Sequence, residues 1–188
     1  MKKDGNRPFI KWPGGKYKLV KHIIQAIEQK LSSDYKDTNH YRLVEPFVGS
    51  GALFLNTPFK AYLLCDINED LINLYKTLQT YQDEFIQYTK SFFTQQNNTP
   101  DKYYEFRDTF NSSTDIVLKS ALFVYLNRHG YNGLVRYNKS GKFNVPFGKY
   151  DQPYFPGKEM KYFVHKCKTA DVEFKVQDFR DTFKELTE

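Results

Sequence analysis

The residues with most to offer chemically lie around a glycine turn. Glu45-Pro46-Phe47-Val48-Gly49-Ser50-Gly51 follows the apolar run Tyr41-Arg42-Leu43-Val44 and leads into Ala52-Leu53-Phe54-Leu55-Asn56. That order reads as strand, glycine turn, helix. Glycines allow a tight turn and a close approach of backbone to ligand. A second apolar run, Ala61-Tyr62-Leu63-Leu64-Cys65, ends in Asp66. A carboxylate at the end of the second strand of such a unit can accept hydrogen bonds from a ribose diol. The pair points to a nucleoside-containing cofactor. Upstream, Trp12 and Lys16 flank Gly14-Gly15. A glycine turn at a helix N-terminus can seat an anion such as a carboxylate, with Lys16 reinforcing it. The Trp12 ring can stack on a planar ligand. The plainer reading makes Trp12 a core residue and Lys16 a solvated first-turn lysine.

A second constellation spans Leu126-Asn127-Arg128-His129-Gly130-Tyr131-Asn132-Gly133-Leu134-Val135-Arg136-Tyr137-Asn138. Arginine can bridge guanine O6 and N7, and asparagine can bridge adenine N6 and N7. Apolar side chains touch a thymine methyl, and tyrosine stacks. Gly130, Gly133 and Gly141 predict a mobile loop. Lys139, Lys142 and Lys149 are placed to meet phosphates. The alternative is an ordinary polar loop over buried tyrosines. His129 has no partner at metal-ligand spacing and reads as structural.

These groups need elements to hold them. Leu19, Val20, Ile23, Ile24 and Ile27 give residues 17–31 a helical period. Strands are expected at about 41–46 and 61–66. Asn68 can cap a helix to about residue 80, with Leu71, Ile72, Leu74, Tyr75 and Leu78 inward. Residues 81–129 read as three helical pieces, broken at 95–100 and 111–114. An extended piece covers 142–147, a helix lies near 157–168, and a third strand covers 172–176. The fold class expected is α/β with a helical insertion: core segments at 1–76 and 166–188, and an insertion at 77–165 that carries much of the polar and aromatic material.

Bulk properties set outer limits. The chain has 188 residues and a formal charge of +6, so an anionic partner is plausible but not required. Aromatics make up 18%, with 15 Tyr and 17 Phe, and interleave with lysine and arginine in a way that suits base stacking beside phosphate contacts. Cys65 and Cys167 are too few and too far apart for a disulfide scaffold or a zinc cluster. No run reaches transmembrane length, and Met1-Lys2-Lys3-Asp4-Gly5-Asn6 lacks the apolar centre of a signal peptide. A cytoplasmic location, no membrane and no metal are expected.

Five stretches, in order, resemble the Dam-type DNA adenine-N6 methyltransferases: Phe9-Ile10-Lys11-Trp12-Pro13-Gly14-Gly15-Lys16, the turn at 45–54, Asp66-Ile67-Asn68, Asn127-Arg128-His129-Gly130-Tyr131-Asn132-Gly133-Leu134, and Phe143-Asn144-Val145-Pro146-Phe147-Gly148-Lys149-Tyr150. The resemblance runs through essentially the whole chain. It implies a Rossmann-like sheet, S-adenosylmethionine as methyl donor, double-stranded DNA as partner and a GATC-type target. It implies that Trp12, Lys16, Glu45, Phe47, Gly49, Gly51 and Asp66 lie around the donor, with Asp66 on its ribose. Asp178 and Phe179 resemble the segment that meets the donor's adenine. Lys11, Asn132, Leu134, Arg136, Lys139, Lys149 and Tyr150 fall in the DNA-reading region.

The family's catalytic Asp-Pro-Pro-Tyr, at the end of its fourth strand, does not occur in these residues. Asp151-Gln152-Pro153-Tyr154 and Asn144-Val145-Pro146-Phe147 are lookalikes, but neither follows an apolar strand. The resemblance therefore implies an incomplete sheet with an open edge on the first strand. It also implies a missing C-terminal half or complementing chain, and no methyl transfer by these residues alone. Two other readings stay open: a non-catalytic module that binds DNA, the donor or both, and a dinucleotide-binding protein. The long basic-aromatic insertion and the lack of a Gly-x-Gly-x-x-Gly run count against the last.

Overall fold

The computed structural model describes residues 5–31 and 38–187. Residues 1–4, part of the stretch read for a leader, lie outside the described residues. Its elements are α1 (Val20–Leu31), β1 (Arg42–Glu45), β2 (Ala61–Asp66), α2 (Glu69–Ser91), α3 (Pro100–Ser112), α4 (Ile116–His129), α5 (Gly157–Lys168), β3 (Asp171–Val176) and α6 (Phe179–Thr187).

The three strands form one parallel sheet in the order β1-β2-β3. Glu45 pairs with Leu64 and Asp66 with Val176. Because the strands are parallel, their carboxyl ends share one edge of the sheet, and both carboxylates reach it. The apolar run of β2 is central and buried, from Tyr62 to Cys65, as a strand covered on both faces must be. Among the described residues β1 pairs on one side only.

The helices begin where their caps dictate. Asn68 accepts from Leu71 N–H at 2.8 Å, and Asp115 accepts from Val117 N–H and Leu118 N–H at 2.9 and 3.0 Å, satisfying first-turn donors that no helical carbonyl reaches. α2 kinks at Gln82, close to the end expected for it at about residue 80, and a second helical stretch continues to Ser91. The backbone of α2 departs from helical values only at Gln82, with φ 47°. α2 packs chiefly on α4, and also on α5 and β3.

Three expectations need correction. The segment after the glycine turn is not an α-helix but a single 3-10 turn, Phe54–Asn56. Asn56 Nδ2 turns back to Ala52 O and Thr57 Oγ1 to Leu53 O, and Pro58 offers no N–H to continue. The Gly14-Gly15 turn also leads into a 3-10 turn, Lys16–Lys18, ahead of α1. The loop expected to be mobile is fastened. Tyr131 N–H donates to Pro146 O and Gly148 N–H to His129 O, each at 2.8 Å. Asn111 on α3 both donates to Phe143 O and accepts from Phe143 N–H. α6, unforeseen, starts on Asp178, whose carboxylate accepts from Arg180 N–H at 2.9 Å.

Aromatic rings fill two regions. In the first, Phe163 of α5 packs at 5.0 Å on Tyr75, 5.3 Å on Phe9, 5.5 Å on Phe54 and 5.8 Å on Phe174. It thus joins the N-terminal segment, the glycine turn, α2 and β3. In the second, Tyr125 of α4 meets Phe93, Phe106, Tyr103 and His129. Removing the ring at the first junction, Phe163→Ala, should cost about 3–5 kcal/mol. The loss would be read as a lower urea midpoint at unchanged slope. A loss under about 1 kcal/mol would show that the four elements do not depend on that ring.

Candidate functional site

The N-terminal segment folds across the carboxyl edge of the sheet. Trp12, Pro13, Gly14, Gly15 and Lys16 face Glu45, Phe47, Val48, Gly49, Ser50, Ala52 and Asp66 around a cavity of about 400 Å³, within the size range of small-molecule sites. Two features keep it open. Gly49 has φ +48° and lies so close beneath the indole of Trp12 that a Cβ there would stand 2.9 Å from Cδ1. Asp66 holds the turn in place: Oδ2 accepts from Gly49 N–H and Oδ1 from Asn68 N–H, each at 3.0 Å. Each oxygen keeps a further lone pair for a ligand hydroxyl.

Glu45 is buried at the end of β1. Lys16 Nζ donates to its Oε1 at 3.1 Å and also to Phe47 O. Its other oxygen, Oε2, is buried with no hydrogen-bond partner, an uncommon and costly state for a carboxylate. Burial pushes the Glu45 carboxyl up to about 7. The Lys16 ammonium opposes that shift and the nearby Asp66 charge adds to it. Lys16 therefore does not stand free at a helix N-terminus; it is the counter-charge of Glu45. The cavity offers one cation, two carboxylates and an indole face.

Of the residues expected around the donor, Trp12, Lys16, Glu45, Phe47, Gly49 and Asp66 line this cavity. Gly51 does not. At φ +73° it shapes the turn, its N–H bonded to Val48 O. Phe179 reaches the rim through Phe47, the ring centres 5.2 Å apart. The Asp178 carboxylate is gripped by the Arg180 guanidinium at 2.8 and 2.9 Å, which pulls it down to about 2.

The residues expected to read DNA fall into two groups. Lys11, Asn132 and Tyr150 meet directly: the Lys11 ammonium lies 5.3 Å from the Tyr150 ring centre, and Asn132 N–H donates to the Tyr150 hydroxyl at 3.0 Å. Leu134 follows on the same loop, half-buried. Further along, Arg136 donates to Asn144 Oδ1 and O at 2.8 and 3.1 Å, which aligns its guanidinium. Lys139 and Lys149 stand exposed. His129 is buried, stacked at 3.8 Å on Tyr125 and bonded through Nδ1 to Tyr125 O, and burial lowers its pKa to about 4.

Neither lookalike tetrapeptide lines the cavity. The Tyr154 hydroxyl bonds Glu159, and Asn144 is the Arg136 partner. Sequence reasoning overlooked the Glu45–Lys16 pair, Ser50 at the cavity wall and the contacts of Asn127 inside α4. The apolar spacing of Phe179, Phe183 and Leu186 after Asp178 was a usable signal for α6. Asn127 was named within the 126–138 stretch, but nothing there marked its bond to Lys11.

Residues 12–188 match the family described as D12 class N6 adenine-specific DNA methyltransferase. The chain is 46% identical over 182 residues to a DNA adenine methylase of Serratia marcescens, covering 97% of this chain and 62% of that protein. It is 47% identical over 170 residues to one of Escherichia coli strain K12, covering 90% and 57%. It is 47% identical over 179 residues to one of Haemophilus influenzae, covering 95% and 59%. The chain thus spans about three fifths of the length of these relatives.

The Glu45 environment makes stability depend on pH. Its folded pKa lies above the unfolded value, so the folded state holds an extra proton between the two. That stabilisation is complete below about 4.5 and is lost as pH rises through about 7. Buried His129, whose pKa is lowered to about 4, contributes an opposite rise over much of the same range. The Glu45 contribution is therefore read as the difference between wild type and Glu45→Gln, which cannot ionise. In urea denaturation of the ligand-free chains that difference should fall on the order of 2–3 kcal/mol from pH 4.5 to pH 8. Parallel profiles for the two proteins would rule out Glu45 as the source.

Proposed function

This chain belongs to the D12 class of N6 adenine-specific DNA methyltransferases. From that premise we propose that it binds S-adenosylmethionine in the cavity between Trp12 and Asp66, and a GATC-type DNA duplex on the surface around Lys11 and residues 130–150. It does so as part of a site-specific adenine-N6 methyltransferase. The observation that carries the reading is the buried, unpartnered Glu45 Oε2 beside Lys16. A ligand with both an ammonium and a carboxylate would complete that pair, and the amino-acid end of the donor is such a ligand. Asp66 would take the ribose hydroxyls, and Trp12 and Phe47 would cover flat surface. When bound, the donor supplies an electrophilic methyl on a positively charged sulfur.

The protein's part is to orient and to select. Lys16 would fix the carboxylate end, and Asp66 the sugar. On the DNA side, Arg136, pre-aligned by Asn144, would read a guanine edge; Leu134 would meet a thymine methyl. Lys139 and Lys149 would meet phosphates, and Lys11 with Tyr150 the flanking base. The exocyclic amine of adenine is a poor nucleophile and must be aligned with the methyl by groups that accept its hydrogens. The Asp-Pro-Pro-Tyr that does so in the family is not among these residues. Residues 1–188 are therefore proposed to bind donor and duplex, with transfer requiring that motif in cis or on a second chain. The same observation favours the second reading, a binding module with no methyl transfer of its own. In either case 1–76 with 166–188 would form the Rossmann-like donor core and 77–165 the recognition insertion, in a cytoplasmic protein.

Calorimetry with S-adenosylmethionine should show binding to the wild-type chain that Asp66→Ala abolishes. Equal binding by the variant would remove Asp66 from the donor site. Incubating the chain with tritium-labelled donor and a GATC duplex should transfer no label. Turnover above background would refute the need for Asp-Pro-Pro-Tyr, and loss of that turnover in a folded Asp151→Ala variant would assign it to Asp151-Gln152-Pro153-Tyr154.

A further inference from the structure

The donor cavity and the base-reading loop share one buried carboxamide. Asn127, in the last turn of α4, is fully buried. Its Oδ1 accepts from Lys11 N–H at 2.9 Å. Its Nδ2 donates to Lys11 O at 2.8 Å and to Gly133 O at 3.0 Å. The amide is thus held in one orientation with both donors used. Lys11 is bonded covalently to Trp12, which walls the cavity. Gly133 is bonded covalently to Leu134, which opens the reading loop. The two segments also press together: Gly133 has φ +63°, and a Cβ there would stand 2.2 Å from Lys11 Cδ. Arg128, the next residue, donates to Phe9 O, so consecutive side chains of α4 grip the strap that carries Trp12.

We infer that Asn127 is a positioning residue that couples occupation of the donor cavity to the geometry of the base-reading loop. The inference rests on the proposed donor and DNA sites. A ligand that shifts Trp12 moves the Lys11 peptide. The carboxamide can follow only by dragging Gly133 O or losing a buried hydrogen bond, a cost the fold resists. Donor binding and duplex binding are thereby linked, and by the same factor in both directions.

The chain contains a single tryptophan, Trp12, so its fluorescence reports the cavity without a label. Donor affinity is read from Trp12, and GATC-duplex affinity from anisotropy with and without saturating S-adenosylmethionine. The wild-type chain should bind the duplex at least about fivefold more tightly with donor present. In Asn127→Leu, similar in volume but without the amide, donor affinity should stay within about threefold while the coupling factor falls to about one. Asn127→Asp keeps the acceptor for Lys11 N–H and loses both donations. It should retain slow hydrogen exchange at Lys11 and still lose the coupling, which a merely structural role would not predict; it also serves if the leucine variant fails to fold. A wild-type chain that binds both ligands without coupling, or folded variants that keep the full factor, would overturn the inference. Failure of the wild-type chain to bind either ligand would instead defeat the proposed function. Hydrogen exchange then decides the clamp: the Asn127 variants must speed exchange at the Leu134 and Asn144 amides and leave α2 unchanged, and an unaffected loop overturns it.

Discussion

A carboxylate at the end of one strand accepts a backbone N–H from the turn that follows its neighbour, and the cavity depends on that bond. Asp66 reaches Gly49 because β1 and β2 run parallel and in register, so that both chains leave the sheet on the same side. The second oxygen of Asp66 takes Asn68 N–H, whose own side chain caps α2. One charged group therefore fixes the glycine turn, the exit from β2 and the start of α2. The turn in turn sets where Trp12 lies, because the indole rests on Gly49.

The two carboxylates at this edge lead different lives. Asp66 is satisfied by backbone donors and stays a fixed acceptor. Glu45 has one oxygen on Lys16 and the other buried without a partner, and its pKa rises to about 7. A fold that leaves such a group incomplete has traded stability for a site that can be completed from outside. The trade is local, since aromatic packing around Phe163 and around Tyr125 holds the elements on either side.

Much of this was legible in the sequence because it depended on local patterns. The apolar runs ending in Glu45 and Asp66 marked two strands, and the inward set from Leu71 to Leu78 marked the face of α2. Gly49 and Trp12 were flagged by residue type alone. What escaped depended on contacts remote in sequence. Lys16 was read as a free cation because its partner is 29 residues away. Asn127 looked like one polar residue among several because its partner, Lys11, is 116 residues away. The helix expected after Gly51 failed through side chains, Asn56 and Thr57, that bonded back to the turn instead of leaving it free to extend. The loop of 130–141 was expected to move because glycines favour freedom. The 142–147 segment it pairs with is itself anchored on α3, where Asn111 bonds Phe143 and the Tyr103 hydroxyl donates to Val145 O, and no local pattern could announce those contacts.

The contact between Trp12 and Gly49 has a consequence for mutational tolerance. Most intolerant glycines fail by disrupting the fold. Position 49 would add a second failure to the backbone strain that its φ of +48° imposes on any side chain. The smallest added side chain meets a movable indole rather than fixed backbone, so the sheet and helices could persist while the ring swung into the room it now borders. The molecule would then be blocked by its own tryptophan, folded yet shut, with an internal plug that no concentration of ligand short of displacing the ring would clear.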